Sequence, residues 1–193
     1  MRFVFFVGVA VLAAGGCGSQ GDTPGPGGAT KSPDQEILDF SSTETFQGSK
    51  SWTLFADKAE VFDGKGYSKV EGVKVEFYGP EGEVSSVLTS LKGRVDDERK
   101  NLQAYGRVVL RTTDGVVLET ETLHWDNIRG VVWSNDFVTV TRGTEVLTGY
   151  GLESDPNLTD VRVKSRVKIK MEGDGNGDSV EDSTKAPGAA RRM

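Results

Sequence analysis

From Ser49 to Met171 apolar and polar residues alternate, and no stretch sustains a helical period. Val, Thr, Tyr, Phe and Trp crowd the alternating positions, the composition and period of two expected of β-strands. Four segments share one register: Leu54-x-Ala56-x-x-Ala59, Leu88-x-Ser90-x-x-Gly93, Leu118-x-Thr120-x-x-Leu123 and Leu147-x-Gly149-x-x-Leu152. Their first residues are 34, 30 and 29 positions apart, and the last three segments are each followed by an Asp: Asp96, Asp126 and Asp155. A second arm follows each at an offset of 19 or 20 residues, at Val73, Val108, Val138 and Val167. Each second arm has an apolar partner two residues on: Val75, Leu110, Val140 and Ile169. Turn formers separate the arms at Gly64 and Gly66, Asp97 and Asn101, Asn127, and Pro156-Asn157. The repeating unit is a strand pair.

One such pair cannot bury its own apolar face, but stacked pairs can. The pattern therefore predicts an all-β fold, a rolled antiparallel β-jellyroll of stacked strand-pair repeats. The two-residue step inside each segment breaks the alternation, which predicts a repeated bulge that rolls the sheet around its inner face. That face takes Leu54, Val75, Phe77, Leu88, Leu110, Leu118, Leu123, Trp125, Val138 and Val140. The outer face takes Lys74, Glu76, Arg107, Arg111, Glu119 and Glu121. Small inner residues (Ala56, Ala59, Ser90, Gly93, Gly149) leave two readings open: room for acyl chains, or tight sheet curvature. The last strand, about Arg162 to Met171, sets Val163, Val167, Ile169 and Met171 against Lys164, Arg166, Lys168 and Lys170. Many like charges suit an edge strand, where they blunt uncontrolled pairing.

The ends read differently. Arg2 precedes an apolar run of 12 residues, Phe3 to Ala14, which is too short to span a bilayer comfortably. Small residues and the single Cys17 follow, as in a bacterial lipoprotein signal whose Cys is lipidated. Residues 1–17 are thus expected to be a signal ending at a lipidated Cys17, and 18–48 a flexible tether, Gly-, Pro- and Ser-rich at its start. Residues 49–171 form the domain, and 172–193 an acidic, disordered tail. An ordinary cleaved signal or an uncleaved anchor helix would also export the domain.

Composition removes whole classes of function. With 23 Lys+Arg against 29 Asp+Glu, no basic excess supports nucleic-acid binding. One Cys and one His exclude a disulfide framework and a Cys/His zinc site, and no cofactor or metal is implied. Glu119 and Glu121 have the i, i+2 spacing of a jellyroll glycosidase pair, about 6.6 Å apart along a strand. The repeat register puts them on the solvated face, so the enzyme reading is the weaker one. His124 beside Trp125 has no adjacent catalytic motif. A structural envelope lipoprotein that binds only protein is a further alternative.

Several stretches together resemble the LptC family of lipopolysaccharide export. They are Trp52-Thr-Leu-Phe-Ala-Asp-Lys-Ala59, Gly72-Val-Lys-Val-Glu-Phe77, Leu118-Glu-Thr-Glu-Thr-Leu-His-Trp-Asp126, Val132-Trp-Ser-Asn-Asp-Phe-Val138 and Gly149-Tyr-Gly-Leu-Glu-Ser-Asp155. The resemblance implies a non-enzymatic carrier on the periplasmic face of the inner membrane. It would take lipopolysaccharide from an inner-membrane ABC transporter and pass it to an LptA-like bridge protein. Acyl chains would contact Leu54, Val75, Phe77, Leu88, Leu110, Leu118, Trp125, Val138 and Val140. The bridge protein would add a strand at the edge formed by Val163, Val167, Lys168 and Ile169, and the transporter would join near Ser51 to Val61. Many family members carry a transmembrane anchor helix, whereas here a lipid on Cys17 is expected to serve.

Overall fold

A computed structural model describes residues 32–171. The leader with Cys17, the start of the tether and the tail at 172–193 lie outside the described residues. Nine strands follow one another: β1 (Gln35–Phe46), β2 (Ser49–Phe62), β3 (Tyr67–Tyr78), β4 (Val84–Asp96), β5 (Leu102–Thr112), β6 (Val117–Asp126), β7 (Val131–Arg142), β8 (Glu145–Ser154) and β9 (Arg162–Met171). They form one antiparallel sheet in chain order, so every contact between neighbours is a hairpin. β1 and β9 do not pair with each other, and the roll is open at both edges.

Two expectations require correction. The tether does not extend to residue 48, because residues 35–46 form β1 on the outer side of β2. Alternation along β1 is faint: Ile37, Leu38 and Phe46 are all exposed, so burial leaves little mark on its sequence. The backbone ladder with β2 holds the strand instead, and Lys58 on β2 reaches Glu36 on β1 at 2.9 Å and Glu60 at 3.0 Å. It follows that Ser51 to Val61 lies in β2, an interior strand, and the N-terminal edge is β1.

The broken alternation has the expected structural meaning. Register shifts fall mid-strand between Thr89 and Lys92, Tyr105 and Val108, Thr120 and His124, Ser134 and Phe137, and Thr148 and Tyr150. Each extra residue bends its strand and adds twist. Bending brings distant strands together across the roll: Phe77 on β3 meets Trp125 on β6 edge-to-face, with ring centroids 5.0 Å apart. Trp52 Nε1 on β2 donates to Asn127 Oδ1, in the turn after β6, at 3.0 Å.

The repeated Asp residues close the turns at one end of the roll. Asp96 Oδ1 accepts from the N–H groups of Glu98 and Arg99, and Asp126 Oδ1 from those of Ile128 and Arg129. The Asp155 carboxylate accepts from the N–H groups of Asn157, Thr159 and Asp160. A short side-chain acceptor that bonds nearby backbone N–H groups is what a tight turn needs. Each of these turns also holds one left-handed residue: Lys100, Gly130 or Leu158.

Candidate functional site

Strand pairing aligns the inner residues into a ladder with one apolar rung per strand. Its rungs are Leu54, Val75, Leu88, Leu110, Leu118, Val140, Leu147 and Ile169, running from β2 to β9. A neighbouring ladder is mostly small: Ala59, Val70, Gly93, Ala104 and Leu123. Gly93 has a packing reason to be glycine. A Cβ there would lie 3.0 Å from Val70 Cγ2 and 3.2 Å from the Gln103 carbonyl oxygen. At Gly93, then, the small residue makes room for its paired neighbours on β3 and β5, in line with the curvature reading of the sequence.

All nine residues expected to line the inner face are buried in one cluster, together with Leu123. Their side chains fill the interior. Burial of each large apolar side chain is worth about 1.5–3 kcal/mol, so the closed roll is held by its own lining. The last rung departs from this: Ile169 is 61% exposed, because no strand beyond β9 covers it. Val167 and Met171 beside it are exposed as well. β9 also places Lys164, Lys168 and Lys170 on an open sheet edge.

Polar atoms punctuate the apolar interior. The Oγ atoms of Ser86 and Ser154 and the indole Nε1 of Trp125 are buried without a hydrogen-bond partner among the described residues. Trp125 borders a cleft of about 270 Å³ formed by the end of β1 and the turn after β6. Phe46 and Ile128 flank this cleft and are both largely exposed. Asn101 Oδ1 accepts from the Asn127 N–H at 3.0 Å, so one turn fixes the next and the Trp52–Asn127 bond ties both to β2.

The sequence contains little sign of these cross-turn ties, because Asn is common in turns for local reasons alone. Leu158 was also missed. It is fully buried although it sits in a Pro-Asn turn, and Arg142 Nη2 donates to its carbonyl at 2.8 Å. Its one signal is position, since it stands where the other Asp-capped turns hold Lys100 and Gly130.

The catalytic alternatives find no geometry. Glu119 and Glu121 are exposed on the outer face. His124 lies flat on Trp133, with ring centroids 3.9 Å apart and planes 5° from parallel. Burial lowers its pKa, and the Asp136 carboxylate opposes that shift. Among the described residues no cluster of His, Cys, Asp and Glu is arranged to hold a metal ion.

A bulged sheet rolled around a continuous apolar ladder, with both edges open, defines the class: an antiparallel β-jellyroll with unpaired edge strands. The comparisons agree with that architecture. The family model described as "Lipopolysaccharide-assembly, LptC-related" matches residues 7–172, and the chain belongs to that family. Among solved structures, the fold is similar to that of LptH from Pseudomonas aeruginosa, described as the LptA homologous periplasmic component of the conserved lipopolysaccharide transport device. The similarity has a TM-score of 0.51 at 15% identity, over 63% of this chain and 95% of that one. No curated protein matches the chain in sequence. The chain is thus an LptC-related component of lipopolysaccharide transport.

Proposed function

We propose that the roll carries the acyl chains of lipopolysaccharide on its inner ladder and hands them across the β9 edge to an LptA-like bridge protein. The ladder that runs from Leu54 to an exposed Ile169 carries this reading. It is an apolar track that ends at an edge able to accept another strand. Burying one CH₂ is worth about 0.8 kcal/mol, so a twelve-carbon chain gains roughly 10 kcal/mol on leaving water. A trough that keeps the chains out of water removes that barrier without chemistry. Energy for the transfer comes from the ATPase of the inner-membrane transporter, whose periplasmic part joins at the β1 edge. Because its own side chains fill the interior, the walls must part to admit a ligand. The Trp52–Asn127 bond and the Phe77–Trp125 contact are the links across the roll that yield. A lipid on Cys17 holds the domain at the periplasmic face of the inner membrane.

Site-specific photo-crosslinking in cells tests the assignment of faces. Probes at Phe77, Leu110 and Trp125 should trap lipopolysaccharide, and probes at Lys74 and Glu119 should not. Equal trapping from both faces would refute the register.

A further inference from the structure

β9 carries five basic residues, Arg162, Lys164, Arg166, Lys168 and Lys170, and no acidic one. Arg162 pairs with Asp160, and Lys164 and Arg166 lie over the rings of Trp133 and Tyr150. Lys168 and Lys170 form no ion pair among the described residues. Val167, Ile169 and Met171 alternate with them and are exposed. The end of β9 thus offers unpaired charge, uncovered apolar surface and an open backbone edge together.

The chain runs on from this edge. Residues 172–182, outside the described residues, contain Glu172, Asp174, Asp178, Glu181 and Asp182 and no basic residue. Five negative charges therefore follow five positive ones along the chain. Between the two runs stands Gly173-Asp174-Gly175-Asn176. Asp-Gly at the centre of a two-residue loop is a preferred hairpin turn, because both central residues take positive φ.

That loop fixes a register. With Gly173 opposite Asn176, Val180 falls opposite Ile169 and Glu181 opposite Lys168. Val180 is the only β-branched apolar residue after Met171. Opposed residues share a face, so Val180 extends the inner ladder past its uncovered rung while Glu181 meets an unpaired lysine. A turn at Asn176-Gly177 would instead oppose Lys168 with Lys185, a destabilising like-charge pair. Asp178 and Asp182 flank Val180, opposite Met171 and Val167, and stand within a Debye length, about 10 Å, of the basic row. Inward-pointing charges also stop a new edge from recruiting a further strand.

We infer that residues 176–182 pair with β9 as a tenth strand in the unengaged chain, and that a bridge strand must displace them. The gating half of this rests on the docking proposed above; the seating of the tail does not. A second copy would offer the acidic residues of β1 to the same edge, but Glu36 is already held by Lys58. The tail also has the advantage of its tether, since a short linker gives an effective concentration in the millimolar range.

The full chain tests the seating without any partner. Ile169→Cys combined with Val180→Cys should form a disulfide within one chain under mild oxidation, mapped by peptide mass. It should form about tenfold faster than with Ile169→Cys combined with Ala189→Cys. Equal rates overturn the register, and disulfides between chains would make a second copy the occupant. At low ionic strength, outward amides of 167–171 should exchange about tenfold more slowly in wild type than in Glu181→Lys combined with Asp182→Lys. Unchanged exchange in β3 to β6 controls for folding, and equal exchange at 167–171 overturns the seating. The charge-reversed chain should also pass lipopolysaccharide to the bridge protein up to about tenfold faster, because apparent affinity rises with the open fraction. An unchanged rate, with the disulfide formed as expected, overturns the gate. Normal transfer by Lys168→Pro overturns the docking reading instead, and leaves the tail a cap on an edge that no partner uses.

Discussion

His124 shows how a single residue couples packing to pH. Burial against Trp133 disfavours the imidazolium, and the Asp136 carboxylate only partly offsets this. The folded chain thus takes up this proton at lower pH than the unfolded chain does. The stability it contributes is complete above the ordinary histidine value and is lost as pH falls through the window below it. The thermal midpoint should fall between about pH 7.5 and about pH 5.5, and His124→Gln should remove part of that fall. An equal decline in the variant, followed by circular dichroism, would assign it to carboxylates elsewhere. The sequence placed His124 next to Trp125 and suggested no role. Its partner is Trp133, nine positions along, and only the pairing of β6 with β7 brings the two rings together. Asp96, Asp126 and Asp155 were different. Their fixed place after each segment was visible, because a turn that uses a local acceptor repeats the acceptor with the turn.

At the scale of the strand, legibility followed burial. β2 to β8 announce themselves because inner residues are mostly apolar and outer ones mostly polar, with Phe55, Leu91, Phe137 and Tyr150 as exposed exceptions. The broken alternation foretold the bulges in the last three segments, since an extra residue shifts the pattern without ending the strand; the first, at 54–59, keeps its register with β3. β1 was hidden, because only Phe40 of its apolar residues packs against the core while Ile37, Leu38 and Phe46 are exposed. β9 was visible for the opposite reason: its charges mark it as an edge. β9 is held unusually close to β8. A Cβ on Gly149 would lie 2.4 Å from Val163 Cγ1 and 2.9 Å from the Ser165 carbonyl oxygen, a backbone atom that cannot swing aside. Gly149→Ala should therefore push the two strands apart at a cost of about 1–3 kcal/mol. Amide exchange should accelerate across 162–171 and remain slow in β3 to β6. Lys168→Pro probes the same strand from outside, removing one N–H and bending the edge. That variant should stay folded and take up lipopolysaccharide but fail to pass it to the bridge protein. Transfer at the normal rate would place the docking edge elsewhere.

For the whole molecule, the sequence foretold a roll with one apolar side and could not choose between filled and open. Choosing requires the distance between walls that are far apart in sequence, and the Phe77–Trp125 contact makes the choice for the closed form. The anchor belongs to this scale too. If Cys17 carries the only lipid, Cys17→Ala should release the domain into the soluble fraction and remove the acyl mass from the intact protein. A variant that stays with the membrane would point to an anchoring helix instead.

The uncovered final rung bears on how much of this chain a cell can hold. Ile169, Val167 and Met171 stand on an open edge, and on the proposed docking that edge receives a partner's strand. With the bridge partner scarce, β1 of another copy would offer the same kind of unpaired backbone. Chains would then queue head to tail, each occupying the port its neighbour needs for traffic. On that docking, surplus copies would subtract from transport instead of adding to it.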